Sequence, residues 1–116
     1  RRVGIDRERA ELLATRSRLG RLVIQLLANW FRREPHREWF EFYDPLAVAV
    51  ALEPEMVSTY PASIRVEMED PDRRGESKVT GRGGSIAVAQ QVDSRRFFDL
   101  MGQILGIYAD KLRVFP

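Results

Sequence analysis

The sequence predicts an α/β fold, because it contains both segments with helical periodicity and segments typical of strands. In the helical segments apolar residues recur at spacings of three and four, and in the strand segments apolar and polar residues alternate between turn-forming residues. The predicted helices are residues 6–16, 19–33, 45–53 and 94–112, and the predicted strands lie near residues 62–69, 76–82 and 85–92. At 116 residues the chain forms one domain at most.

Composition excludes several classes of function. The 19 basic and 17 acidic residues give a formal charge of only +2, which does not indicate a nucleic-acid-binding protein. The chain has no cysteine, so disulfides, thiolate metal sites and a cysteine nucleophile are excluded. No apolar run approaches the roughly 20 residues that span a bilayer, and no signal peptide is visible. We therefore expect a cytoplasmic protein without a membrane partner.

The first two predicted helices are amphipathic. Asp6 can cap the first helix, whose apolar residues are Ala10, Leu12 and Leu13. In the second helix, residues at spacings of three and four form one apolar stripe, which we interpret as the packing face. This stripe consists of Leu19, Leu22, Val23, Leu26, Leu27 and Trp30.

The third predicted helix contains the longest apolar run of the chain, residues 46–52. Asp44 can act as its N-cap, and Pro45 fits the first helical position, where its missing N–H has no cost. Because the run is apolar on every face, we expect this helix to be buried all round. A buried strand is the alternative, since valine and alanine alternate, but the Asp-Pro start favours a helix.

The carboxylate of Asp44 has two interpretations. The local pattern favours a helix cap, because aspartate is among the preferred cap residues. The alternative is a hard oxygen ligand for a cation such as calcium, or a contact to a polar substrate. The residues around Asp44 leave both interpretations open.

Residues 34–42 place aromatic residues around the single histidine of the chain, His36. A histidine in a loop is most often just exposed, but His36 can also serve as a proton donor to a leaving group, because its reference pKa lies near neutrality. Trp39 and Phe40 can either pack in a core or interface, or stack on a nucleobase. These residues are therefore candidates for a substrate site.

The last third of the chain predicts strands, a turn and a helix. The acidic residues of the turn near residues 67–75 lack the spacing of an EF-hand, so we interpret them as solvated. Asp93 can cap the last helix. The buried face of this helix is predicted to contain Phe97, Phe98, Leu100, Met101, Ile104, Leu105 and Tyr108.

Four motifs follow one another in an order that matches one enzyme family. Residues 43–49 read Tyr-Asp-Pro-Leu-Ala-Val-Ala, residues 64–67 read Ile-Arg-Val-Glu, and residues 74–79 read Arg-Gly-Glu-Ser-Lys-Val. Residues 86–100 then contain a strand pattern and the start of a helix. This collinear set covers nearly the whole chain, and it resembles the C-terminal portion of the inosine-uridine-preferring nucleoside hydrolases.

The resemblance implies a fold and a chemistry. The fold would be the C-terminal segment of a Rossmann-like open sheet, with residues 1–116 forming one incomplete segment of the domain. The activity would be calcium-dependent hydrolysis of the N-glycosidic bond of ribonucleosides, as used in purine salvage. Asp44 matches the family's C-terminal calcium-ligand aspartate, and Tyr43 stands where the family has its acid histidine. Residues 34–42 correspond to an aromatic flap, so His36, Trp39, Phe40 and Tyr43 are implied to contact the nucleoside.

The sequence also departs from the family pattern at two places. Tyr43 replaces histidine, and tyrosine, with a reference pKa near 10, is a poorer proton donor at pH 7. The Asp-rich motif that supplies the family's other calcium ligands is absent, and one carboxylate cannot hold an ion that takes six to eight oxygens. We therefore expect the isolated chain to be inactive, or to be a non-enzymatic remnant or interaction module of the same fold.

The same departures bear on the partners of the chain. Its first residue is arginine rather than methionine, which we interpret as truncation of a longer protein. Missing strands would leave apolar surface exposed. We therefore expect either a homo-oligomer, as a dimer or tetramer, or association with a missing N-terminal segment, and a nucleoside as the small-molecule partner.

Overall fold

The computed structural model describes residues 3–112 and contains both helices and strands, as the α/β prediction requires. The helices are α1 (Arg7–Leu12), α2 (Arg18–Arg33), α3 (Tyr43–Leu52), α4 (Ser94–Leu105) and α5 (Ala109–Leu112), with a 3₁₀ turn at Pro54–Met56. The strands are β1 (Gly4–Asp6), β2 (Trp39–Glu41), β3 (Val57–Val66), β4 (Ser77–Arg82) and β5 (Ile86–Val92). Within residues 3–112 the strands form two open sheets.

Contacts divide the chain into two compact units. The first, which we call the helical unit, contains residues 3–56 and 93–112 of the described chain. The second, which we call the sheet unit, is Val57–Val92. None of the helices in residues 3–112 is long and apolar enough to cross a membrane.

The core of the helical unit is aromatic. Phe97 has no exposed surface, and Phe31, Phe42 and Phe98 are 3%, 5% and 4% exposed. Ring centroids lie 5.3 Å apart for Phe97 and Phe98 and 6.0 Å apart for Phe42 and Phe97. The Phe97–Phe98 pair is edge-to-face, an arrangement that stabilises aromatic clusters beyond the area they bury.

Helix α1 is capped as predicted but is shorter than predicted. The carboxylate of Asp6 accepts a hydrogen bond from the backbone N–H of Arg9 at 2.7 Å. The helix ends at Leu12 instead of residue 16, and Leu13 is extended. Ala10 and Leu13 are buried as expected, whereas Leu12 is 71% exposed.

Helix α2 has its predicted extent, but the predicted packing stripe is only partly correct. Its buried residues are Gly20, Leu27 and Phe31. Three leucines of the predicted stripe are about half exposed: Leu19, Leu22 and Leu26. Helix α2 is apolar around more of its circumference than the helical unit covers. Its buried face is therefore rotated around the helix axis from the predicted stripe.

Residues 43–52 form the predicted helix, α3, and not the alternative strand. Two predictions about this helix are wrong. It begins at Tyr43, so Phe42 occupies the N-cap position without a side-chain cap, and Asp44 lies inside the first turn. The helix is also not buried all round, since Ala49 is its buried residue, while Val48 and Leu52 are 62% and 67% exposed.

Helix α4 begins as predicted and ends early. The carboxylate of Asp93 accepts from the N–H of Arg96 at 3.1 Å, which confirms the cap. The helix ends at Gly106, whose φ of 63° is the left-handed conformation typical of a helix C-terminus, so the prediction of one helix to residue 112 is wrong. Ile104 and Tyr108, predicted as buried, are 47% and 83% exposed.

The sheet unit is a three-stranded antiparallel sheet with the order β4-β3-β5. The extents of β4 and β5 agree with prediction. Strand β3 is Val57–Val66, so it begins and ends earlier than the strand predicted near residues 62–69. Pro61 pairs with Ala87 of β5, and pairing with β4 starts only at Ala62, so the proline lies where its missing N–H removes no bond to β4.

Candidate functional site

The start of helix α3 presents an acidic and a phenolic side chain to solvent. Asp44 is exposed and lies in the first turn, where a carboxylate interacts favourably with the helix dipole. Tyr43 is 69% exposed, and its hydroxyl donates a hydrogen bond to the carboxylate of Glu41. The sequence did not single out Glu41; its position two residues before Tyr43, at the end of a strand, is the signal that could have found it.

A hollow of about 300 Å³ lies at residues 36–41, all of which line it except Phe40. His36, Trp39 and Glu41 are the lining residues that bear on the candidate site. The imidazole of His36 is 71% exposed, and its Nε2 lies 3.5 Å from the carboxylate of Glu34. The structure therefore brings together two predicted site residues, His36 and Trp39, and it links Tyr43 to them through Glu41. Phe40 and Asp44 do not line this hollow.

Trp39 lies against the first strand. A Cβ added at Gly4 would lie 2.4 Å from Trp39 Nε1, so the indole occupies the space beside the glycine backbone. Within residues 3–112, Nε1 is a buried nitrogen without a hydrogen-bond partner. Trp39 is therefore half-buried, and the part of it that can reach a ligand is the part that faces the hollow.

Phe40 belongs to the aromatic cluster of the helical unit. Its ring centroid lies 4.9 Å from that of Trp30 and 5.4 Å from that of Phe42, both in edge-to-face arrangements. The ring also lines an apolar groove of about 670 Å³ beside α2. In this structure Phe40 therefore packs in the aromatic cluster. A contact between Phe40 and a nucleobase stays a prediction.

Residues 34–41 are tied to the N-terminal part of the unit from both ends. Strand β2 pairs antiparallel with β1, with Gly4 opposite Glu41 and Asp6 opposite Trp39. At the other end, the guanidinium of Arg7 donates to the carbonyl oxygens of Glu34, Pro35 and Arg37, and also to that of Phe31 at 3.1 Å. The segment that carries His36 and Trp39 is therefore anchored to the body of the unit.

Asp44 is the residue that the sequence proposes as a metal ligand. Among the described residues there is no group of three His, Asp or Glu side chains that could hold an ion. Calcium takes six to eight oxygen ligands, so the donor set present here does not fit a calcium site by itself. What the site offers is one exposed carboxylate at a helix start, beside a tyrosine whose hydroxyl is hydrogen-bonded to Glu41.

Comparison with known protein families identifies the chain. Residues 3–99 match the model of a family described as inosine-uridine preferring nucleoside hydrolase. The match covers most of the chain and includes the hollow and the start of α3, so the chain belongs to this family. No curated protein and no solved structure was found to match it.

Proposed function

We propose that this chain is the C-terminal portion of a hydrolase that cleaves the N-glycosidic bond of ribonucleosides in purine salvage. Membership of the nucleoside hydrolase family supports a hydrolase role for the parent protein. The observation that carries the proposal is the placement of Asp44, because the family's motif for a helix start coincides here with an exposed carboxylate in the first turn of α3. A carboxylate fixed on a helix is a rigid ligand for a cation or a sugar hydroxyl.

The proposed cofactor is Ca²⁺, bound only when further carboxylates from outside this chain are present. Asp44 would supply one oxygen ligand. Because the remaining ligands are not among the described residues, no step of the reaction is assigned to the ion in this chain. For the same reason we propose that the isolated chain is inactive.

We place the nucleobase at the hollow formed by residues 36–41. Its volume, about 300 Å³, lies at the lower end of the range for ligand pockets. The edge of Trp39 and the imidazole of His36 line it, and Tyr43 borders it through its hydrogen bond to Glu41. In this arrangement His36 is a hydrogen-bond donor to the base, Tyr43 contacts the base with its phenol ring while its hydroxyl donates to Glu41, and Phe40 supports the site from the aromatic cluster behind it.

A second candidate function is a non-enzymatic interaction module of the same fold. Two observations favour it: tyrosine stands at the position of the family's acid histidine, and Asp44 has no second and third carboxylate with which to form a metal site in the described chain. The proposed setting in either case is cytoplasmic, as a homo-oligomer or completed by an N-terminal segment.

The experiment is a measurement of ribose release from a panel of purine and pyrimidine nucleosides. The chain is assayed alone with calcium and with a chelator, and the longer parent protein is assayed in the same way with Asp44→Asn and, as a control in the turn between β3 and β4, Asp72→Asn. We expect no release by the chain, chelator-sensitive release by the parent, and loss of that release with Asp44→Asn only. Ribose release by the chain alone would contradict the proposal that the active site needs residues from outside this chain. An inactive parent protein would favour the interaction module.

A further inference from the structure

Helix α2 is apolar over more of its surface than the helical unit uses. At 3.6 residues per turn its apolar residues occupy an arc of about 200°. One half of the arc, with Leu27 and Phe31, is buried in the unit. The other half exposes Leu19, Leu22 and Leu26, at 48%, 52% and 58%. A stripe of about 100° suffices to face one core, so the second half is available for another partner.

The exposed half of α2 continues into the groove beside it. Helix α2 contributes Val23, Leu26, Leu27 and Trp30 to the apolar lining of the groove, and the rest of that lining is Phe40, Phe42, Pro45 and Met101. With a volume of about 670 Å³, the groove can take several large side chains. We refer to the three exposed leucines and this groove together as the α2 surface.

The charges around the α2 surface have one sign. Every charged residue of α2 is an arginine, namely Arg18, Arg21, Arg32 and Arg33, and all four are exposed. Arg32 and Arg33 also line the groove. A second copy of α2 laid on this surface would bring arginines against arginines, which opposes self-association, whereas a partner with acidic flanks would be attracted.

We propose that the α2 surface binds an amphipathic helix of a second protein, with acidic residues along one side of its apolar face. The spacing of three and four residues between Leu19, Leu22 and Leu26 matches the spacing at which another helix presents its anchors. The arginines supply the complementary charge at the rim, which gives orientation and specificity. The three leucines do not line the hollow at residues 36–41, and Phe40 belongs both to the groove and to the aromatic cluster behind the proposed base site, so the two proposals are tested by separate measurements.

The test uses two synthetic helical peptides with leucines at positions i, i+3, i+4 and i+7. One has glutamate along one flank of the leucines and the other has lysine at the same positions. Binding to the full chain is measured by fluorescence anisotropy of labelled peptide at two salt concentrations. We expect the glutamate peptide to bind at least about tenfold more tightly than the lysine peptide, with a preference that weakens as salt rises.

Variants locate the binding surface. Leu22→Gln and Leu26→Gln should each weaken the glutamate peptide about tenfold, because each removes one apolar contact. Leu12→Gln is the matched control, since Leu12 is an even more exposed leucine on a different helix, and its substitution should leave binding unchanged. Arg33→Glu should reduce the preference for the glutamate peptide. Circular dichroism of each variant reports its folding, and a double variant Arg18→Gln/Arg33→Gln tests the charge without touching the apolar contacts.

Three results would overturn the proposal. Equal affinity for the two peptides would show that the α2 surface does not select an acidic partner. Equal weakening by Leu12→Gln and Leu26→Gln would show unspecific adsorption to exposed leucines. Self-association of the chain in sedimentation equilibrium that Leu26→Gln abolishes would assign the surface to a second copy. None of these results depends on nucleoside hydrolysis, so the proposed function can fail or succeed separately.

Discussion

The helical unit and the sheet unit differ in what holds them together. Among the buried apolar residues of the described chain, Ala62 is the single one in the sheet unit, and the rest belong to the helical unit. In the helical unit large side chains such as Phe97, Ile5 and Met56 are almost fully buried. In the sheet unit the apolar side chains remain largely exposed: Val66, Met68, Val79 and Ile86.

This difference shows that side-chain packing organises one unit and backbone pairing the other. The helical unit gains stability from apolar area removed from water, whereas the sheet unit depends on its strand ladders and on side-chain hydrogen bonds in its turns. The candidate site lies on the packed unit, which suits a site that needs fixed geometry. Substitutions in the two units should therefore act by different mechanisms and with different magnitudes.

The largest expected effect is in the aromatic core. Phe97→Ala should lower the free energy of unfolding of the helical unit by about 3–5 kcal/mol, because it removes a fully buried ring and leaves a cavity. Both tryptophans, Trp30 and Trp39, belong to this unit, so their fluorescence during urea denaturation measures it. Val79→Ala, at a side chain 51% exposed in the sheet unit, is the control and should cost less than about 1 kcal/mol. Equal effects would refute the contrast between the units.

If Phe97→Ala does not fold, Phe97→Leu supplies the measurement. It keeps most of the apolar volume and should cost less than the alanine variant, in the range of about 1–3 kcal/mol. A loss below the control value would mean that the ring is not a main support of the core.

The next effect concerns the anchor of residues 34–38. Arg7→Ala removes four hydrogen bonds from the guanidinium to backbone carbonyls and its contact with the ring of Phe31, 4.9 Å away. We expect a loss of about 2–3 kcal/mol, since hydrogen bonds to charged groups are the stronger ones. Arg7→Lys keeps the charge but not the forked donors, so it should restore only part of this stability.

Hydrogen exchange of the amides in residues 34–38 distinguishes anchoring from general destabilisation. These amides should exchange faster in Arg7→Ala under conditions where the amides of α4 keep their protection. Arg9→Ala is the control on the same helix: its ion pair with Asp6 has a distance of 3.7 Å and is partly exposed, so its loss should be less than about 1 kcal/mol. Unchanged exchange in residues 34–38 would show that Arg7 does not anchor the segment.

Much of the helical unit could be predicted, because local signals determine it. The caps at Asp6 and Asp93 and the helix after the Asp-Pro pair were predicted from a few neighbouring residues, and the structure contains them. The C-terminal ends of the helices were harder to predict. Gly106 lies inside the helix predicted over residues 94–112, whereas it ends α4 in a left-handed conformation.

What could not be predicted depends on contacts between distant residues. Periodicity revealed that α2 is apolar but not which half of its arc would be covered, since this depends on where α4 and the aromatic cluster lie. Arg7 and its carbonyl partners are separated by 24 to 30 residues, so no local pattern connects them. The early start of β3 at Val57 is likewise set by its pairing with β5, in which Val57 lies opposite Val92, 35 residues further along the chain.

A smaller effect on stability is expected at Gly84, which packs closely against the backbone of β3 in the sheet unit. A Cβ at Gly84 would lie 2.2 Å from the carbonyl oxygen of Ala62 and 2.4 Å from the backbone nitrogen of Ser63, so backbone must move. Gly84→Ala should cost about 1–3 kcal/mol and increase hydrogen exchange in β3 and β4. Gly81→Ala is the matched control in the same unit, because within the described chain a Cβ there meets no atom within 4 Å. Equal exchange in both variants would contradict backbone packing as the constraint.

The smallest effect is a pH dependence in the turn between β3 and β4. The side chain of Glu67 accepts hydrogen bonds from the N–H groups of Glu69 at 3.0 Å and Asp70 at 3.3 Å, and these bonds, that from Glu69 first, lower the pKa of Glu67 below its ordinary value of 4.5. A carboxyl whose pKa is lower in the folded state stabilises the turn above its unfolded pKa, and this contribution is lost as the pH falls through the lowered value. Amide chemical shifts of Glu69 and Asp70 should therefore titrate below pH 4.5, and the same titration should be missing in Glu67→Gln. A midpoint at or above the ordinary value would mean that these hydrogen bonds do not persist in solution, and that the turn, like the faces of its sheet, is loosely held.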